Sequence, residues 1–333
     1  MPVAEHVQLA AAGAQLGEFS VSANGDLVYR GGLGNLRLTW LDRAGKHLGT
    51  LGDAAQFTVV AYSPFSGVQF SPDHKTVGVQ MRDAVGNVDV WLFDTVHGLR
   101  TRFTSELAYD TAPVWSPDGR TIVFRSNRKG PFDFYRKPAD GSRDEELLYA
   151  DELVKGGASF SPDGKYLAYF AQGDPKTGSD IWILPDPLGT PGAAKPYPFQ
   201  RTVFDEANPQ FSPDGRWIAY NSNESGRKEV YLAPFPGPGE KRQVSPAGGT
   251  SPHWRPDGKE LFYIAPDDRL TVAEVDLKVG AVEVKKVTPL FGPVTAGFDV
   301  SADGQRFLTP LLPDGEVPEP LTVVLNWTAG LKK

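Results

Sequence analysis

Short apolar stretches alternate with polar turns along the chain, and no long run keeps the three-to-four-residue spacing of an amphipathic helix. The alanine-rich residues 8–15 read as a short helix or a loop. The apolar stretches themselves, such as Thr121-Ile122-Val123-Phe124 and Trp217-Ile218-Ala219-Tyr220, are rich in β-branched and aromatic residues and predict strands.

The strands follow a repeat. Ser116-Pro117-Asp118-Gly119, Ser161-Pro162-Asp163-Gly164 and Ser212-Pro213-Asp214-Gly215 are identical. Ser22-Ala23-Asn24-Gly25, Ser71-Pro72-Asp73-His74, Arg255-Pro256-Asp257-Gly258 and Ser301-Ala302-Asp303-Gly304 are variants. The third positions of successive copies lie 43 to 51 residues apart, the length of four short strands. An apolar residue, such as Phe70, Trp115, Phe160, Phe211 or Trp254, ends a strand A before each motif. Proline presets φ for the turn, and glycine accepts the positive φ that returns the chain into strand B. Strand C is announced by Asp89-Val90-Trp91, Asp133-Phe134-Tyr135, Asp180-Ile181-Trp182 and Glu229-Val230-Tyr231.

Four strands per repeat predict an all-β fold, a β-propeller. Seven motif copies predict seven blades, at about residues 17–60, 61–107, 108–152, 153–203, 204–247, 248–294 and 295–333, within one domain covering 1–333. The last unit is short, with strand B near Arg306 and strand C from Leu321 to Trp327. The segment Pro2-Val3-Ala4-Glu5-His6-Val7 is expected to supply its strand D and close the ring. Six blades plus a partial unit is the alternative. Trp115 and Trp254 are expected to be wedged between blades.

At 333 residues, with 40% hydrophobic and 23% charged, the chain is globular. No cysteine is present, which excludes disulfides and thiolate chemistry. A net charge of −7 argues against a nucleic-acid partner. No apolar run is long enough to span a bilayer, and the N-terminus lacks the pattern of a signal peptide.

These motifs resemble the WD40-like, PD40-containing propellers of the TolB type; the Gly-His and Trp-Asp signatures of true WD40 repeats are missing. Further segments are similar to one group in particular: Ser126-Asn127-Arg128-Lys129-Gly130, Tyr135-Arg136-Lys137-Pro138-Ala139-Asp140-Gly141, Ser222-Asn223-Glu224-Ser225-Gly226-Arg227 and the ending Leu321-Thr322-Val323-Val324-Leu325-Asn326-Trp327-Thr328-Ala329-Gly330. That group is the C-terminal propeller of bacterial, acidobacterial-type membrane serine/threonine kinases. The resemblance implies a sensor or interaction domain held outside the cytoplasm by a preceding kinase and membrane span. The kinase glycine-rich loop and His-Arg-Asp loop are absent, as is a Gly-x-Ser-x-Gly elbow, so no catalytic residue is assigned.

The motif aspartates recur at one blade position and read as turn builders. The strand C acids Asp89, Asp133, Asp180 and Glu229 read as loop braces. Of five histidines only His253 falls on a strand A, which argues against a histidine metal site. Calcium is open on oxygen ligands alone, without a loop motif, and no cofactor is assigned. The residue before the apolar end of strand A is polar in most units: Ser20, Gln69, Ser159, Gln210, His253 and Asp299. These groups either face the axial channel or satisfy backbone near the axis. The B–C and D–A loops share the face opposite the motif turns and carry Arg82, Arg125, Asn127, Arg128, Asn221 and Asn223. With Gln69, Gln210, His253 and Asp299 beneath them, they form the candidate site for a peptide, protein or small-molecule ligand at the channel mouth. The expected function is therefore non-catalytic ligand sensing or protein interaction. A propeller lyase or hydrolase with a central metal, or a structural or oligomerisation spacer, is the alternative; oligomeric state is open.

Overall fold

The computed structural model describes residues 19–21, 26–30, 35–57, 67–83, 85–237, 239–278, 280–294, 297–313 and 321–325. They contain six four-stranded antiparallel sheets. Blade 1 is Gln69–Phe70, Thr76–Arg82, Val88–Asp94 and Arg100–Arg102, in the order A to D. Blade 2 is Asp110–Trp115, Thr121–Ser126, Asp133–Pro138 and Glu146–Tyr149. Blade 3 is Val154–Phe160, Tyr166–Asp174, Gly178–Pro185 and Tyr197–Gln200. Blade 4 is Glu206–Phe211, Trp217–Ser222, Glu229–Pro234 and Arg242–Gln243. Blade 5 is Thr250–Trp254, Glu260–Ile264, Leu270–Lys278 and Ala281–Pro289.

Blade 6 joins the two ends of the chain. Its strands A and B are Asp299–Val300 and Arg306–Leu311, and its strands C and D are Leu36–Asp42 and His47–Ala55. The junction is a full ladder from Arg306 opposite Asp42 to Leu311 opposite Arg37.

Apolar clusters then fill an unbroken circle of six interfaces. Val90 meets Ile122 between blades 1 and 2. Phe134 meets Tyr169 between blades 2 and 3, and Phe170 meets Tyr220 between blades 3 and 4. Leu232 meets Leu261 between blades 4 and 5, and Phe262 meets Phe307 between blades 5 and 6. Leu38 and Leu308 of blade 6 meet Val79 of blade 1.

This circle corrects the expectation of seven blades: the propeller has six. The stretch read as a first blade divides. Leu36–Asp42 leaves Leu27–Arg30 and pairs with Arg306–Leu311, because burying Leu36, Leu38 and Leu41 completes a blade that the C-terminal strands begin. Phe19–Val21, Leu27–Arg30 and Leu321–Val324 form a separate three-stranded sheet. The first motif copy falls in sequence between two strands of that separate sheet and starts no four-stranded blade, so counting motifs overcounts by one. Leu321–Val324 pairs with Leu27–Arg30, not as strand C of the last blade. The expected closing strand, residues 2–7, lies outside the described residues.

The motif turns are built alike. In blades 1, 2, 3, 4 and 6 the serine hydroxyl (Ser71, Ser116, Ser161, Ser212, Ser301) donates to the aspartate two residues on and accepts the N–H that starts strand B. The bond from serine holds the carboxyls of Asp73, Asp118, Asp163 and Asp303 below the ordinary aspartate range. Neighbouring turns also touch. A Cβ placed on Gly119, Gly164, Gly215 or Gly258 would lie 3.7, 3.9, 3.4 and 3.8 Å from the proline ring of the preceding blade's motif. Proline on glycine therefore closes the motif rim at four junctions. At the fifth, Gly304 lies against the Arg255 side chain.

Candidate functional site

The loop-face residues singled out from the sequence are placed as internal braces. Arg82 Nη1 donates to Gly86 O (3.2 Å) within its own loop. Asn127 and Asn223 sit at matching positions, and each accepts an N–H from the loop entering its own blade, that of Tyr109 at 2.8 Å and Asp205 at 2.9 Å. Asn221 is buried and accepts from the Asn208 amide.

Arg125 is buried with its guanidinium 4.4 Å from the Phe132 ring centroid, and burial lowers its pKa to about 10. Arg128 reaches both oxygens of the fully buried Asp110, at 3.2 and 3.1 Å, and lies 4.4 Å from the Tyr135 ring centroid. Burial pushes the Asp110 carboxyl up, against the opposing pull of Ser126 and Arg128.

The strand A set does similar work near the axis, between blades. Ser159 Oγ accepts the N–H of Phe211 in the next blade at 3.1 Å. Asp299 accepts the N–H of Phe70 across the blade 6–1 junction at 2.6 Å and faces His253 Nε2 of blade 5 at 2.8 Å. The carbonyls of Gln69 and Gln210 accept the indole N–H of Trp115 and Trp254, at 3.2 and 3.3 Å. Gln69 Oε1 is buried without a partner. The strand C acids brace the loops as well: Asp89 holds Arg102 and Thr104, Glu229 holds Ser245 and Arg227, and Asp133 holds the buried Lys155 at 2.8 Å. Among the described residues no three His, Asp or Glu side chains gather as a metal site would require.

Residues overlooked in the sequence surround a groove of about 320 Å³ on the opposite, motif-turn rim, at the junction of blades 6 and 1. Trp40, Ser301, Ala302, Asp303 and Arg306 of blade 6 face Phe70, His74 and Thr95 of blade 1. Trp40 stacks on Phe70, with centroids 5.5 Å apart and planes 15° apart. The exposed Arg306 guanidinium lies 5.0 Å from the Trp40 ring centroid, and the His74 ring lies 5.1 Å from Phe70.

The groove opens where the proline-on-glycine contact is missing. Blade 6 has Ala302 in place of proline, and blade 1 has His74 in place of glycine. His74 nevertheless keeps the left-handed backbone of the glycine it replaces, with φ 57° against 71° at Gly119. A residue with a side chain pays in strain for that conformation. The sequence signal was therefore a pair of departures from the motif, Gly to His and Pro to Ala, in turns that only ring closure makes adjacent.

A family model described as the TolB beta propeller domain (PD40) matches residues 49–181. The chain is a β-propeller similar to the TolB type over those residues. A protein of Agrobacterium tumefaciens assigned to TolB superposes with a TM-score of 0.60 at 18% identity, covering 83% of this chain and 97% of that one. An oligogalacturonate lyase of Vibrio parahaemolyticus superposes with a TM-score of 0.55 at 14% identity, covering 93% and 82%. Identities this low show the fold alone.

Among curated proteins, an uncharacterized protein of Agrobacterium fabrum is 26% identical over 196 residues, 59% of this chain and 53% of that protein. Dipeptidyl-peptidase 5 of Porphyromonas gingivalis is 25% identical over 246 residues, 65% of this chain and 33% of the peptidase. The TolB-like propeller thus spans about half or less of the curated relatives it matches. Among the described residues no helix is long and apolar enough to cross a membrane.

Proposed function

We propose that this TolB-like propeller is a non-catalytic binding module, sensing a ligand or holding a protein partner, and that its binding surface is the groove between blades 6 and 1. One observation carries the reading. Asn127, Asn221, Asn223 and Arg128 on the loop face, and Ser159, His253 and Asp299 near the axis, have partners that hold the propeller together, whereas Arg306 makes no ion pair with a described residue and stands exposed beside stacked aromatic rings. Aromatic residues and arginine are the side chains that binding surfaces favour. The setting we propose is the extracytoplasmic sensor end of a membrane-anchored kinase, on the strength of the terminal segment Leu321 to Gly330.

The test is a thermal-shift screen of peptides and small molecules on wild type, Trp40→Ala and the Arg125→Ala/Arg128→Ala double variant. The quantity read is the ligand-induced shift, because the double variant melts lower for structural reasons. The reading expects the shift to vanish in Trp40→Ala and to survive in the double variant. Loss in the double variant alone would return the site to the loop face.

A further inference from the structure

We propose that the groove between blades 6 and 1 takes an extended peptide segment of a partner protein, one that presents a bulky apolar side chain next to an acidic residue. This rests on the binding-module reading and adds the chemistry of the occupant.

The groove volume, about 320 Å³, suits one large side chain. Trp40 and Phe70 give that side chain two aromatic surfaces in a fixed stack. Trp40 is held in place by its strand, where it lies opposite Leu308. The fit therefore needs little reordering on the protein side.

The acidic requirement comes from Arg306. Its guanidinium is exposed, lies 5.0 Å from the Trp40 ring centroid, and feels the Asp303 carboxylate without forming an ion pair with it or with any other described residue. An arginine held over a ring is already ordered, and its fork donates two parallel hydrogen bonds to a carboxylate. Asp303 lies beside it, with its Oδ1 occupied by Ser301 and by the N–H of Gln305. The Asp303 carboxylate can accept a backbone N–H from an extended segment.

The case for a polypeptide over a lone small molecule lies just past the groove. Thr95 lines it, and the next residues of that turn, Val96 and Leu99, are 76% and 71% exposed. Leu48, in the outer hairpin of blade 6, is 48% exposed. That hairpin touches the same blade 1 turn, where a Cβ on Gly98 would lie 2.8 Å from Gly52 N. The apolar track thus continues outward on both sides of the junction, farther than a ring-sized ligand reaches, as the neighbours of an anchor side chain require.

The decisive variant restores the rim found at the other junctions. His74→Gly with Ala302→Pro brings back the proline-on-glycine contact and takes away the imidazole wall of the groove while leaving the turn geometry intact. A displayed library of random heptapeptides is selected on wild type and on this double variant. Wild type should enrich sequences with an aromatic or large aliphatic residue adjacent to Asp or Glu, and the double variant should not, while melting no lower than wild type. An enriched peptide synthesised with Gln for its acid should bind wild type about tenfold more weakly, and Arg306→Gln should erase that difference. Equal enrichment on both proteins, or no preference for the acid, overturns the peptide proposal. If no peptide is enriched but small-molecule shifts disappear in Trp40→Ala, the peptide proposal fails and the binding-module reading stands.

Discussion

Replacing Trp254 with alanine should unfold a large part of the margin that keeps the ring folded. Trp254 ends strand A of blade 5, is 6% exposed, and packs in the cluster that joins Trp217, Val230 and Leu232 of blade 4 to Leu261 and Ala273 of blade 5. Its indole N–H also bonds the Gln210 carbonyl across the interface at 3.3 Å. The walls of the resulting cavity are strands tied into ladders on both sides, so they cannot collapse far. Truncation should cost about 3–5 kcal/mol. Trp254→Phe keeps most of the apolar volume and loses the hydrogen bond, a cost of about 1 kcal/mol. Trp115 is the counterpart on blade 2, 8% exposed, with its N–H 3.2 Å from the Gln69 carbonyl and in a separate cluster. The two Trp→Phe costs should add to within about 0.5 kcal/mol. Equilibrium urea unfolding followed by circular dichroism measures all of these. A loss below about 1 kcal/mol for Trp254→Ala would refute the wedge, since that is the expectation for a largely exposed side chain.

Arg128→Gln should cost about 3–5 kcal/mol, because it strands the fully buried Asp110 without its cation; adding Asp110→Asn should recover part of the loss, and an effect under about 1 kcal/mol in urea unfolding would contradict the pairing. Glu206 occupies the start of strand A in blade 4, as Asp110 does in blade 2, but Glu224 stands where Arg128 stands there. Burial, with Asp180 and Glu224 adding to it against the Thr202 hydrogen bond, raises its pKa from 4.5 to about 7. Between those values the folded state holds a proton that the unfolded state has lost, so stability should fall as pH rises through that window. Glu206→Gln should remove that slope from urea-unfolding curves collected across the range, and an unchanged slope would assign it to other groups.

The propeller was legible in the sequence because its signals are local. The Ser-Pro-Asp-Gly turns, the apolar end of strand A and the acid at strand C each lie within a few residues of the backbone they shape. Blade number was not legible, because it depends on which edge accepts Leu36–Asp42, a choice made by packing against Phe307 and Leu308, far away in sequence. The candidate site shows the same division. Arginine and asparagine at recurring loop positions look like ligand donors in a list of residues. Their partners, such as Asp110 for Arg128 and the Asp205 N–H for Asn223, appear only when loops from two ends of a blade are brought together. The groove went unread because Ala302 and His74 become neighbours only through ring closure.

The most direct test of the binding surface is a hydrogen–deuterium exchange footprint with an enriched peptide bound. The account expects protection in residues 70–76, 93–99 and 301–306, the two motif turns and the outer turn around the groove, and none in the B–C and D–A loops. Protection centred on residues 82–88, 126–132 and 222–229, with the motif-turn rim unchanged, would place binding on the opposite face and contradict it.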